Sequence, residues 1–296
     1  MVRIACPFQG RQTGNLMKVA SGGMRSGLRA AGIRCEACLL LAVFLLTALT
    51  VPGGAGIACL PEQTEWVKVS EVMDGQSFRT TDGRIVKLAS IAAPIEPSAS
   101  DEEGERLAVA AKKGLASLIE GKAVSLAHGV GTDRYRRLVA HVRLENGGWL
   151  QEEMVAVGLA RAQPASGDAS CLADLVRIEG TAQRNRRGLW QHDRYAPFRA
   201  DDPSLVAQKG LYVLVEGRII SVGRGNRMNF LNFGRYWRQD FTVMVPAAVA
   251  ARMADSGMAL ESLAERKVRV RGIIEEDDGP LIRLTDAAEV EILGDD

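Results

Sequence analysis

Histidine is nearly absent from this chain. Only His128, His141 and His192 occur in 296 residues. None has the spacing of a zinc-ligand set, which argues against a zinc site. Cysteine is almost as scarce. Of five, Cys6, Cys35 and Cys38 lie near the start, leaving Cys59 and Cys171. Cys35 and Cys38 have redox-motif spacing but abut an apolar run, and that reading is discounted. Acidic residues are missing from residues 1–35, which hold six basic ones. Setting those six aside leaves 31 basic against 36 acidic residues, so the body of the chain carries net −5. The chain-wide basic field of many nucleic-acid binders is therefore absent, and any such binding must rest on local patches. A clean membrane-spanning run is missing too. Residues 39–51, LLLAVFLLTALTV, are apolar throughout, but reaching the length of about 20 residues that a span needs means running on through Pro52, Gly53 and Gly54.

What is present at the start is a basic stretch, a short apolar run and small residues ending at Ala58-Cys59. This is the layout of a secretory signal. Residues 1–58 are read as a leader that exports the protein, leaving it periplasmic or membrane-anchored. A cleaved signal, an uncleaved anchor and a lipid on Cys59 all stay open. After cleavage before Cys59, an oxidising compartment makes Cys59 and Cys171 a candidate disulfide; a lipidated Cys59 beside a buried Cys171 thiol is the alternative.

The remainder, with 47% hydrophobic and 25% charged residues overall, is globular in composition. WVKVSEVMDGQSFRTTDGRIVKLASIA reads as a three-stranded meander, with turns at Asp74-Gly75 and Asp82-Gly83. DEEGERLAVAAKKGLASLIEG has helical rhythm, with acids at its start and Gly121 placed at its end. Two more strands and two helices follow. This order predicts a five-stranded OB-type barrel with about three helices over residues 64–191. Residues 192–208, polar and with Pro197 and Pro203, read as a linker. Residues 209–294 give strands, a short helix at ALESLAE and further strands, a second OB-type order. The fold class expected is mainly β with helices (α+β), built on two five-stranded barrels.

Five segments in order, VMDGQSF, VKLASIAAPIE, TDRYRR, VGLARA and RRGLW, carry a resemblance to the thermonuclease, or staphylococcal-nuclease-like, family over roughly residues 66–190. The resemblance implies a calcium-dependent phosphodiesterase on an OB-type barrel. It also places the family's chemistry on particular residues, and most of that chemistry is missing. The family's first motif is Asp-Gly-Asp-Thr; here Gln76 stands at the second Asp, a calcium ligand. In the second motif Lys87 replaces the catalytic arginine, Ala92 a calcium carboxylate and Ile95 the general base, with Glu96 one residue beyond. In the third, Arg137 keeps the phosphate-clamping arginine and Tyr135 the residue that packs on a nucleotide. Arg136 stands at a glycine position, which puts the turn in question. The family's nucleotide-flanking tyrosines correspond to Pro164 and Ser166.

The candidate catalytic positions are therefore Arg137, Lys87 and Glu96. Arg134, Tyr135 and Arg136 form an anion-friendly patch, and Tyr236 and Trp237 are stacking candidates in the second barrel. No cofactor is expected, since calcium needs six or more oxygen ligands and charge. The expectation is an exported, catalytically degenerate family member that binds single-stranded nucleic acid or another polyanion. An active nuclease with a rearranged site and an envelope scaffold for a protein partner remain as alternatives.

Overall fold

The computed structural model describes residues 64–95, 101–127, 131–164, 171–236 and 239–294. The leader, Cys59, Glu96, Ser166 and Trp237 lie outside them. Residues 55–296 form one compact unit. Among the described residues no helix is long and apolar enough to cross a membrane.

The first five principal strands are β1 (Thr64–Asp74), β2 (Ser77–Thr80), β3 (Ile85–Leu88), β5 (Ala123–Ala127) and β6 (Leu138–Leu144), and they close into a barrel in the order β1-β2-β3-β6-β5. One long strand closes it. Thr64–Lys68 of β1 pair with β5, whereas Val69–Asp74 pair with β2, with register shifts at Val69/Glu71 and Val72/Asp74. Such irregularities bend and twist a strand enough to serve both sides of a barrel. Inward residues Val69, Phe78, Val86, Leu88, Leu126 and Val142 fill the core and are at most 1% exposed. A small ladder joins β4 (Ile91–Ala92) to β7 (Arg161–Ala162).

Three helices cover the barrel: α1 (Glu102–Ile119), α2 (Leu150–Ala156) and α3 (Leu172–Arg184). The helix expected from DEEGERLAVAAKKGLASLIEG is α1. The Asp101 carboxylate accepts from Gly104 N, Glu102, Glu103 and Glu105 occupy the first turn, and Leu115 and Ile119 are fully buried. An acid at the N-cap and acids in the first turn satisfy free N–H groups and oppose the helix dipole. Gly121 follows in the left-handed conformation, φ +74°, which a residue without Cβ adopts at little cost.

The remaining strands are β8 (Phe198–Arg199), β9 (Tyr212–Arg218), β10 (Ser221–Gly223), β11 (Met228–Asn232), β12 (Thr242–Pro246), β13 (Lys267–Glu276), β14 (Pro280–Arg283) and β15 (Val290–Ile292). They form one eight-stranded sheet in the order β10-β11-β12-β14-β13-β9-β8, with β15 also on β13. The run LYVLVEGRIISVG breaks at Ile219-Ile220 into β9, beside β13, and β10, beside β11. This repeats the two-sided use of β1. β12 and β14 run parallel, as β3 and β6 do. Helix α4 (Ala247–Asp255), between β12 and β13, was not legible as a helix in PAAVAARMADSG, whereas ALESLAE is only a 3₁₀ turn at Leu260–Leu263. In α4, Val249, Ala250 and Met253 are the buried positions, a sparse apolar stripe of three residues.

Residues 192–208, expected as a linker, are tied down on both sides. Arg194 makes a two-pronged bond to Asp101, His192 lies 2.7 Å from Glu103, β8 pairs with β9, and Leu205 is fully buried. The two halves meet through Ala182, Trp190 and Leu214. A buried charge cluster joins them as well. Arg271 of β13 and Glu179 of α3 are 0% and 1% exposed, with Arg271 Nη1 2.6 Å from Glu179 Oε2. Burial works against the Arg271 charge, but Glu179, Tyr212 and Glu291 outweigh it and keep the guanidinium a cation.

Cys171 is fully buried and disulfide-bonded, and every other cysteine of the chain lies outside the described residues. The pairing expected is with Cys59. Digestion of the unreduced protein should yield a Cys59–Cys171 peptide that disappears on reduction; a bridge from Cys171 to Cys6, Cys35 or Cys38 would refute that pairing.

Candidate functional site

The Asp74–Ser77 turn is built by its first residue. The Asp74 carboxylate accepts from Gln76 N at 2.8 Å and from Ser77 Oγ at 2.6 Å. Gly75 then packs so closely that a Cβ there would lie 2.5 Å from Ala111 Cβ and 2.9 Å from Ala93 Cβ. That approach brings the turn against the segment after β4. Gln76 Oε1 accepts from Ala93 N at 3.3 Å. The side chain at the family's first calcium position is thus spent on the backbone beside the second, Ala92.

Calcium does not fit these residues. Ala92 and Ile95 offer no side-chain oxygen, the Gln76 oxygen is engaged, and both Asp74 oxygens already accept hydrogen bonds. Ile95 is instead an exposed apolar residue. Among the described residues no group of three or more His, Cys, Asp or Glu could hold a metal. Calcium wants six to eight hard oxygens.

Parallel pairing of β3 with β6 sets Lys87 opposite Val139 and so brings it beside the loop before β6. Lys87 is half-buried. Burial and then the nearby Arg137 push its ammonium below the ordinary lysine value, while Asp133 and Asp74 pull the other way. Lys87 therefore lies within electrostatic reach of both motif loops.

The TDRYRR loop is organised by Asp133. Its Oδ1 accepts from Tyr135 N at 2.9 Å and Arg137 N at 3.0 Å, and its Oδ2 accepts from Arg137 Nε at 2.8 Å. Burial pushes the Asp133 carboxyl up, but these bonds outweigh it and hold the carboxyl below its ordinary value. The loop's Asp133 contribution therefore holds above the ordinary carboxylate range and is lost as pH falls through the lowered folded value. Arg137, the position of the phosphate clamp, is committed to this internal ion pair. Tyr135 is 64% exposed and carries Arg134 over its ring at 4.8 Å and Arg137 at 5.3 Å. Arg134 and Arg136 are exposed. The face that remains open is thus Arg134, Tyr135 and Arg136.

Arg136 settles how the turn survives without glycine: it adopts φ +61°. An L-residue in this region costs about 1–2 kcal/mol, partly offset by the higher chain entropy glycine would lose. Arg136→Gly should stabilise the protein by about 0.5–1 kcal/mol in urea denaturation. A loss of stability would show that the arginine side chain contributes more than the strain costs.

Arg161 was passed over in the sequence, although it stands in the VGLARA segment. It pairs with Ala92 across β4 and β7 and lies 5.3 Å from both the Tyr195 and Tyr212 rings. Only the tertiary pairing reveals it. Tyr236 is 72% exposed, with its N–H donating to Asp240 Oδ2. Trp237 and Glu96 lie outside the described residues. The site positions thus fall in two places, Gln76, Lys87, Ala92 and Arg137 around the first barrel's mouth and Tyr236 in the second half.

No curated protein matches this chain. Residues 85–192 match the family model described as Staphylococcal nuclease homologue, 108 of the 296 residues. The match opens at β3 and ends at His192, so it leaves out β1, β2 and the whole second sheet. Residues 85–192 therefore make up a staphylococcal-nuclease-like domain, on a closed five-stranded barrel whose first two strands precede the matched segment.

Proposed function

We propose that the protein is an exported, non-hydrolytic member of the thermonuclease family that binds single-stranded nucleic acid or another anionic polymer through the Arg134–Tyr135–Arg136 face. The observation that carries this reading is the donor set at the barrel mouth. The family mechanism needs a cation, a carboxylate to activate water and arginines to neutralise the phosphoryl oxygens. Here the amide of Gln76 is tied to Ala93 N, Ala92 and Ile95 supply no oxygen, and Arg137 is paired with Asp133. The exposed tyrosine between two arginines keeps what binding needs, a ring for stacking and charges for phosphates. The second half joins this reading as an OB-like module, supported by its strand order and by exposed Tyr236. The leader accounts for export to the periplasm or its membrane.

The test incubates purified protein with single-stranded DNA and RNA, with calcium or EDTA, and scores cleavage and binding together. The expected result is no cleavage in either condition and salt-sensitive binding that weakens in Arg134→Gln/Arg136→Gln. Calcium-dependent cleavage abolished by Arg137→Ala would overturn the reading.

A further inference from the structure

Where α3 faces β13 and β15, the two halves leave a cleft of about 800 Å³. We propose that this cleft is a binding site for a small, acceptor-rich anion of the phosphate or carboxylate class, separate from the Arg134 face and independent of the reading given to it. Trp190 lines the cleft, is only 9% exposed, and its indole N–H has no hydrogen-bond partner; the Gln183 amide nitrogen, also in the lining, has none either. Buried donors are almost always satisfied; both nitrogens are closed to solvent, so an acceptor in the cleft bonds them only with a small opening of the wall.

The charges agree in sign. Glu216 and Glu291 line the cleft and, together with Glu179, share Arg269 and Arg271, which leaves one carboxylate charge of that cluster uncompensated. Arg184, Arg186 and Lys267 also line it, and no carboxylate among the described residues forms a salt bridge with any of them. Asp193 is the one opposing carboxylate in the lining without such a bridge. Three cations against two uncompensated carboxylate charges leave a net positive excess in the wall, which suits an anionic ligand rich in acceptor oxygens. The volume is that of an ordinary small-molecule site, too small for folded protein. The walls come from both halves of the chain, so the site exists only in the assembled unit.

Calorimetric titration of the full chain with tripolyphosphate and, separately, citrate tests this, the two probes distinguishing phosphate from carboxylate. Saturable binding of at least one is expected. Arg184→Gln/Lys267→Gln should weaken it about tenfold or more, Asp193→Asn should tighten it, and Arg134→Gln/Arg136→Gln should leave it unchanged. Failure of both anions to bind saturably, or equal affinity in Arg184→Gln/Lys267→Gln, overturns the proposal. A loss of affinity in Arg134→Gln/Arg136→Gln as large as in the cleft variant overturns it too, and would place the anion on the other face.

Discussion

Glu179→Ala should destabilise the protein by about 3–5 kcal/mol, the usual result of stripping one partner from a buried ion pair. The reason lies in what the substitution leaves behind. Arg271 stays 0% exposed, with Glu291 as its remaining close carboxylate. Ala162 N, which donates to Glu179 Oε1 at 2.8 Å, also loses its acceptor. For a unit of this size the loss lowers Tm by roughly 10 °C. Because Glu179 belongs to α3 and Arg271 to β13, the damage falls on the junction between the halves. Thermal unfolding followed by circular dichroism should broaden or split into two transitions. Glu179→Leu/Arg271→Met, which removes both charges and keeps the volume, should recover most of the loss, since burying a pair stabilises little over apolar packing. A cost below about 1 kcal/mol for Glu179→Ala would mean that water reaches Arg271 and that the charge is not truly buried.

The second large effect is on calcium. The wild-type protein should show no calcium-dependent change in Tm, because its donors are spent or absent. Gln76→Asp/Ala92→Asp/Ile95→Glu returns three carboxylates to the barrel mouth beside Asp74. Without calcium this variant should be less stable than wild type, since like charges crowd one loop pair. With calcium at about a hundred times its Kd the stability should rise by about 2.7 kcal/mol, which is the mass-action gain for a ligand bound only by the folded state. A scan of Tm against calcium concentration checks this. If the variant stays insensitive, the backbone around Gly75 and Ala93 excludes the ion whatever side chains stand there.

The local elements were legible because their signals are local. The N-cap Asp101, the first-turn acids and Gly121 bracket α1 in the sequence as they do in space. The alternation of β1 to β3 and the Asp82-Gly83 turn needed nothing from elsewhere in the chain. Helix α4 failed this test. Its buried face is Val249, Ala250 and Met253, and alanine marks a helix face poorly when other residues can be read as loop. The break between β9 and β10 was invisible for another reason: a bend at Ile219-Ile220 is imposed by the need to pair with β13 on one side and β11 on the other.

The missing chemistry at Gln76, Ala92 and Ile95 was fixed by the sequence alone, because a residue type with no carboxylate cannot supply one in any fold. The tertiary structure decided how the remaining groups are used. It turned Gln76 onto Ala93 N, committed Arg137 to Asp133, and brought Lys87 to both loops through parallel pairing of β3 and β6. It also joined Glu179 to a residue 92 positions away in the chain, Arg271, and opened the cleft between the halves. Such contacts depend on long-range packing geometry, which no window of the sequence encodes by itself.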